Sequence, residues 1–269
     1  MQFGLIIIGD EILSGKRSDK HLEKAIAILN TRGLQVSYAN YVGDDPQRIT
    51  ATLKTAFSSG DVLFSFGGIG ATPDDHTRQC AANAMEVALT LHPDAKALIL
   101  ERMQDIAKEQ GHPYEPNRPD NIHRLNMGMF PVGANIIPNP YNKIAGFSCA
   151  AVAGGAVHFL PGFPVMAWPM LEWVLDTHYS EYFRKNRWLE KSVIVMGAME
   201  ASLTPLMESI EREFDAKVFS LPSLDHAVYG RHIELGVKGS PEMVERAFGA
   251  LKHGLQNFAV ELGPELVRS

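Results

Sequence analysis

No stretch of this 269-residue chain approaches the ~20 consecutive apolar residues that a membrane-spanning helix requires. The apolar start, MQFGLIIIGDE, is too brief for a signal peptide and has no basic leader, so a cytoplasmic location is expected. Cysteine is scarce: Cys80 and Cys149 stand far apart and in no metal-ligand spacing. That excludes a disulfide framework and predicts two buried thiols in a reducing compartment. Positive charge is not in excess either. With 25 Lys and Arg against 31 Asp and Glu the net charge is −6, which gives no electrostatic footprint for nucleic acid. Two nucleotide signatures are also missing from the glycine-rich stretch at 67–70. No Gly-Lys-Ser/Thr follows it, so it is not a Walker A loop. Gly68-Ile69-Gly70 lacks a third glycine three residues on, so it is not the dinucleotide fingerprint.

What is present begins with DVLFSFGGIGATPDDHTR, residues 61–78. A short apolar strand runs into Gly67, Gly68 and Gly70, then into Thr72 and Thr77 around the pair Asp74-Asp75. A strand ending in glycines lets main-chain N–H groups approach a ligand unobstructed, a common way to hold phosphate. The helix that follows, capped by Thr77 or by Thr72 with Pro73 at its first position, adds the positive end of its dipole. Carboxylates beside an anion repel it unless a cation lies between. Asp74 and Asp75 therefore point to Mg²⁺-type chemistry on a phosphate.

Phe3 to Ile8 is a continuous apolar run, as in a strand buried on both faces, and it ends in Gly9-Asp10-Glu11. A helix with Leu22, Ala25, Ile26 and Leu29 stops at Gly33. Val36 to Val42 reads as a strand leading into Gly43-Asp44-Asp45-Pro46, where Asp45 can cap a helix carrying Ile49, Leu53, Ala56 and Phe57. This alternation predicts an α/β fold, a doubly wound and mostly parallel sheet. In such sheets ligands sit beyond the carboxyl ends of the strands, so three acid-bearing glycine loops are expected at one edge. Helices are expected over 77–91 and 93–110, a loop over 111–121 and a short helix over 121–127. Strands follow at 134–137, 147–153 and 156–160, then the rigid Leu160-Pro161-Gly162-Phe163-Pro164 loop and an apolar helix with Trp168, Trp173 and Leu175.

Composition turns aromatic and basic over 179–187, which sets domains at 1–180 and 188–269. The tail reads β-α-β-β-α, a small α+β domain of assembly or lid type. Its shape is reminiscent of KH modules, but it has no Gly-x-x-Gly loop and no basic face. His226, Arg231 and His232 are expected at the surface.

In order and spacing, these loops resemble the MoaB/Mog molybdopterin-binding superfamily, and within it the competence/damage-inducible, CinA-like branch. The matching pieces are Gly9 to Gly15, Val42-Gly43-Asp44-Asp45, Gly67 to Thr72 with Asp74 to Thr77, Asn139-Pro140 through Gly146-Phe147, and Leu160 to Pro164. The resemblance covers about residues 3 to 175 and does not extend to the amidase that larger relatives carry, so that activity is not assigned. It implies that Gly67, Gly68, Gly70, Thr72 and Thr77 hold a phosphate. Asp44, Asp45 and Asp75 would serve the reaction, and Asp44, Asp74 and Asp75 a divalent metal, Mg²⁺ or Co²⁺. Asp10, Glu11, Asn139, Lys143, Pro161 and Gly162 would line the substrate.

Ala71, where a proline is usual, loosens the loop. Asn142 to Ala145 replaces a small proline-containing turn and puts Lys143 near a possible phosphate, and Met166 stands at a position often acidic. The implied activity is metal-dependent cleavage of adenylate-containing dinucleotides such as ADP-ribose. Molybdopterin binding or adenylylation is the alternative, and a non-catalytic nucleotide-binding module a third. The implied partner is a small nucleotide or pterin phosphate, with no nucleic acid and no membrane; relatives and the apolar joining helix imply a homo-oligomer.

Overall fold

The structure is a computed structural model that describes residues 2–184 and 189–268. Lys185 and Arg187, part of the basic run noted above, lie outside the described residues. The chain folds as two compact units, residues 1–182 and 183–269.

The first unit begins β1 (Phe3–Ile8), the single turn α1 (Asp10–Leu13), α2 (His21–Thr31), β2 (Val36–Val42), α3 (Pro46–Ser58), β3 (Val62–Phe66) and α4 (Thr77–Met85). It continues β4 (Leu89–Leu91), α5 (Pro93–Glu109), α6 (Pro119–Arg124), β5 (Met129–Pro131), β6 (Asn135–Ile137), β7 (Gly146–Ala150), β8 (Ala156–Leu160) and α7 (Pro164–His178). Six strands form one sheet in the order β2-β1-β3-β8-β7-β6. The first four run parallel, and β7 and β6 are antiparallel to their neighbours.

Every residue of β1 and β3 is buried, as their unbroken apolar runs predict for strands covered on both faces. On one face Ile6, Ile8 and Leu63 join Ile49 and Leu53 of α3 and Ala81 of α4 in a single core. On the other, Phe66 stacks on His21 of α2, Phe64 on His158, and Phe3 meets Tyr179 edge-on. Both cysteines are buried and free.

Two expectations for this unit are corrected. The helix from Thr77 ends at Met85, not Leu91. Glu86 closes it in the left-handed region (φ 58°) while the Val87 N–H reaches back to the Ala82 carbonyl. Leu89–Leu91 then pairs antiparallel with Met129–Pro131. An apolar run as short as Val87 to Leu91 fits either period, and only the distant partner strand decides it. The strand expected to reach Ala153 stops at Ala150, because residues 152–154 turn with Ala153 at φ 54°.

The second unit contains β9 (Leu189–Met196), α8 (Glu200–Glu213), β10 (Lys217–His226), β11 (Gly230–Gly239), α9 (Pro241–Leu255) and β12 (Glu261–Arg268). The strands are antiparallel in the order β10-β11-β9-β12. β12 adds one element to the expected β-α-β-β-α series. Gly263 and Pro264 hide it in the sequence. Proline is tolerated there because β12 is an edge strand whose register shifts between Leu262 and Glu265. The result is the ferredoxin-like split β-α-β order, to which the KH-type shape gives way. Its core joins Val193, Val195, Leu235 and Val237 to Leu203, Ile210, Phe248 and Leu251 of the two helices. His232 is buried, against expectation. Its Nδ1 lies 2.9 Å from the Gly230 carbonyl, and its ring meets His226 and Tyr229 edge-on.

Candidate functional site

The parallel registers pair Ile8 with Val42, Ile7 with Phe66, and Phe66 with Leu160. The carboxyl ends of β1, β2, β3 and β8 therefore lie along one edge, and the loops carrying Asp10, Asp44, Gly67 to Asp75 and Pro161-Gly162 all leave from it. Strand order reverses between β1 and β3, the crevice where α/β sheets of this kind bind ligands.

At one side of that crevice lies an acidic corner. Asp10 and Asp44 hold each other's backbone: the Asp10 N–H donates to Asp44 Oδ2 (2.9 Å), and the Asp44 N–H to Asp10 Oδ1 (3.1 Å). Gly43 is required beside them, because a Cβ there would strike the Asp10 carboxylate. Glu11 folds back over Gly9, whose φ of 155° is a backbone conformation that other residues rarely adopt. Burial pushes the Asp44 carboxyl above its usual value. The Asp10 amide opposes this, and the carboxylates of Asp10, Glu11 and Asp74 add to it. Three carboxylates thus bear on Asp44. Asp45 does not join them. It is the N-cap of α3, its Oδ1 accepting from the Arg48 N–H at 2.7 Å. One oxygen of Asp45 thus serves the start of α3.

The other side is the glycine loop. Gly67 (φ 101°) and Gly68 (φ 67°) adopt the left-handed backbone that favours glycine, and side chains there would hit Ile8 and Thr77. Gly70 packs on the carboxylate of Asp75. Thr77 is fully buried. Its N–H donates to the Gly68 carbonyl (3.0 Å) and its hydroxyl to the Gly67 carbonyl (3.2 Å). Asp75 Oδ2 accepts both the N–H (2.8 Å) and the hydroxyl (2.5 Å) of Thr72, while the Asp75 N–H returns to the Thr72 carbonyl. So Asp75, Thr72 and Thr77 brace the loop. Thr77 sits at the first helical position, and His76 precedes it as N-cap without a side-chain bond.

The Pro161-Gly162 turn abuts this loop. A Cβ on Gly162 would lie 3.5 Å from the Gly67 Cα, and the Gly67 N–H donates to the Leu160 carbonyl. Asn139 and Lys143, expected to line the substrate, are otherwise engaged. The buried Asn139 amide donates to Asn142 Oδ1 and the Ile144 carbonyl and accepts from the Tyr141 N–H, which fixes the 139–144 turn. Lys143, at φ 65°, places its ammonium 2.6 Å from both Glu101 and Asp105 of α5. Two carboxylates neutralise it, so it offers no free charge to a phosphate.

Three residues escaped the sequence reading. His21 Nε2 lies 3.0 Å from the Gly162 carbonyl, and burial lowers the pKa of its ring. His123 of α6 reaches the Ala71 carbonyl at 2.8 Å. Arg78 is 3% exposed and donates through Nη1 to the Ile69 carbonyl inside the loop. A signal existed for two of them. Arg78 falls in helical step with Ala81, Ala82 and Met85, and His21 with Ala25, Ile28 and Leu29, so each is a polar residue on a buried stripe. Nothing local marks His123.

Among the described residues no three His, Cys, Asp or Glu side chains converge into a ready-made metal cage. Asp75, expected among the ligands, turns one carboxylate oxygen to Thr72, and a hydrogen bond from the same Thr72 lowers the pKa of Asp74; of the expected set, Asp74 is the one whose charge bears on Asp44. That pair fits an ion of the Mg²⁺ kind, which takes one or two carboxylates and completes its shell with water and substrate phosphate. The mutual repulsion felt at Asp44 is what such an ion would relieve.

The model of the family described as "Probable molybdopterin binding domain" matches residues 4–180. A competence-damage inducible protein of Alkaliphilus metalliredigens is 31% identical over 211 residues, 78% of this chain and 48% of that protein. Protein TV0584 of Thermoplasma volcanium is also 31% identical over 211 residues, 78% of this chain and 76% of its own. The chain thus spans about half the length of the first of these relatives. Among solved structures, CinA from Thermoplasma acidophilum, titled as of unknown function, superposes with a TM-score of 0.54 at 29% identity, over 65% of this chain and 96% of that one. The sheet edge, its loops and these likenesses agree: the chain belongs to the molybdopterin-binding domain family, and it is similar to proteins named competence-damage inducible and CinA.

Proposed function

We propose that the protein is a metal-dependent pyrophosphohydrolase of adenylate-containing dinucleotides such as ADP-ribose. The observation that carries this is the meeting, at one crevice, of a braced loop of glycine amides with a separate corner where neighbouring carboxylates repel that of Asp44. The amides favour an anion, the carboxylates favour a cation, and a phosphoanhydride with its counter-ion brings both.

In this reading the main-chain N–H groups of Gly68 to Gly70 bind one phosphate, the Gly67 N–H being held by the Leu160 carbonyl, with the amino-terminal end of α4 behind them. Asp44 and Asp74 would hold a divalent ion, which when bound supplies charge neutralisation and an acidified water. Asp10 orients the Asp44 backbone, and through it the carboxylate. His21 fixes the Gly162 carbonyl and so the wall formed by Pro161-Gly162.

Purified protein with Mg²⁺ or Co²⁺ should convert ADP-ribose to AMP and ribose 5-phosphate, followed by chromatography. Absence of AMP under every divalent metal rejects the reading. A second reading, molybdopterin adenylylation, draws on the name of the matching family. Turnover of ATP with molybdopterin, and none of ADP-ribose, would select it.

A further inference from the structure

Arg78 is a buried cation for which the free protein offers no adequate partner. It is 3% exposed, its Nη1 donates to the Ile69 carbonyl, and its Nε is buried without a hydrogen-bond partner. Among the described residues no carboxylate forms an ion pair with it, and Asp75 acts on it only through space. Asp75 is itself bound twice by Thr72. Burial lowers the pKa of Arg78, yet a guanidinium stays charged in a protein, so the cost of desolvation remains. Its position raises that cost. Arg78 is the second residue of the nine-residue α4, whose amino-terminal end is already positive. Two positive sources thus stand beneath the same glycine loop, where capping chemistry would favour an acid.

We propose that Arg78 is a positioning residue, a fixed counter-charge beneath the Gly67–Gly70 loop for a doubly charged phosphate seated on it. The inference rests on the reading that this loop takes phosphate, and it adds a charge requirement to that reading. Arg78 acts through the loop: the bond to Ile69 holds the backbone between the glycines, and its charge makes a dianion a better occupant than a monoanion. A phosphomonoester, or the terminal phosphate of a cleaved anhydride, meets that requirement. A phosphodiester does not, and neither does either singly charged phosphate of an intact dinucleotide, so in the proposed reaction the charge of Arg78 favours the released monophosphate over the substrate.

Binding of AMP and of its phosphate methyl ester, measured by calorimetry at pH 8 with Mg²⁺, separates the two charges on one nucleoside. Wild-type protein is expected to prefer AMP by about tenfold or more, given the strength of hydrogen bonds to charged groups. R78Q keeps a donor for Ile69 and removes the charge. It should weaken AMP by about 10- to 100-fold and leave the ester nearly unchanged, so the preference falls away. R78M, which gives up the Ile69 bond as well as the charge, should weaken both ligands, AMP by the larger factor. Equal weakening of both ligands in the variants, or undiminished AMP binding, overturns the assignment of Arg78 while leaving phosphate on the loop. Failure of the wild type to bind either ligand rejects the loop reading beneath it. If neither variant folds, Arg78 is needed by the free protein, and the proposal is overturned.

Discussion

Asp44 and Asp45 leave β2 side by side, yet one turns to the Asp10 backbone and the other caps α3. Removing each should therefore be felt in a different measurement. Asp45→Ala should cost about 1 kcal/mol of stability, the usual price of an N-cap. In thermal unfolding that is a fall of about 2–4 °C for a unit of this size. His158 makes a residue-scale case of another kind. It is buried between Ser148 (2.7 Å), Tyr179 (2.8 Å) and the ring of Phe64, and burial, aided by His178, pushes its pKa down to about 3. The folded state keeps it neutral while the unfolded chain takes up a proton below pH 6.5. Unfolding then gains a proton, so stability is full above pH 6.5 and declines toward pH 3, by up to about 1.4 kcal/mol per pH unit. His158→Gln should be less stable at pH 7 but lose stability less steeply between pH 6 and pH 4 in urea titrations. An unchanged slope would show that the histidine does not titrate on unfolding.

At the scale of elements, α4 ends on a residue poorly suited to its place. Glu86 takes the left-handed conformation that glycine adopts freely, and its charge lies at the negative end of the helix. Its contact with Lys54, 3.9 Å between exposed side chains, adds little. Glu86→Gly should raise stability by about 1 kcal/mol, read as a higher urea midpoint with an unchanged slope. Loss of stability would mean that the Lys54 contact outweighs backbone strain.

The elements also show where sequence reading succeeds and stops. β1, β2, β3, α3 and the loops after them were legible because each rests on a local signal: an unbroken apolar run, an Asp-Pro start, a string of glycines. β4 and β12 were not. One is three residues long and defined by its partner β5, and the other carries a proline that only an edge position permits. The site divides the same way. Which loops share the edge followed from strand alternation, whereas the occupation of Lys143 by Glu101 and Asp105 depends on a helix about 40 residues earlier in the chain. Asp75 read as a ligand because acids beside glycines suggest metal chemistry, yet Thr72 lies close enough to bind it first.

At the scale of the whole molecule, the first unit is a doubly wound sheet whose switch point gathers amides and acids, and the second is a four-stranded antiparallel layer with its own core. The family relation fixes what kind of domain the first unit is, and the chemistry proposed for it depends on Asp44 facing an ion rather than supporting the fold. The most direct test is AMP release from ADP-ribose with Mg²⁺ by wild type, Asp44→Asn and Asp45→Ala, assayed side by side. Asp44→Asn keeps the oxygen that accepts the Asp10 N–H, so it should fold normally and lose AMP release by 100-fold or more, on the order of 3 kcal/mol of barrier. Asp45→Ala should release AMP at close to the wild-type rate below its melting point. Full activity in Asp44→Asn, or loss only in Asp45→Ala, would contradict the account.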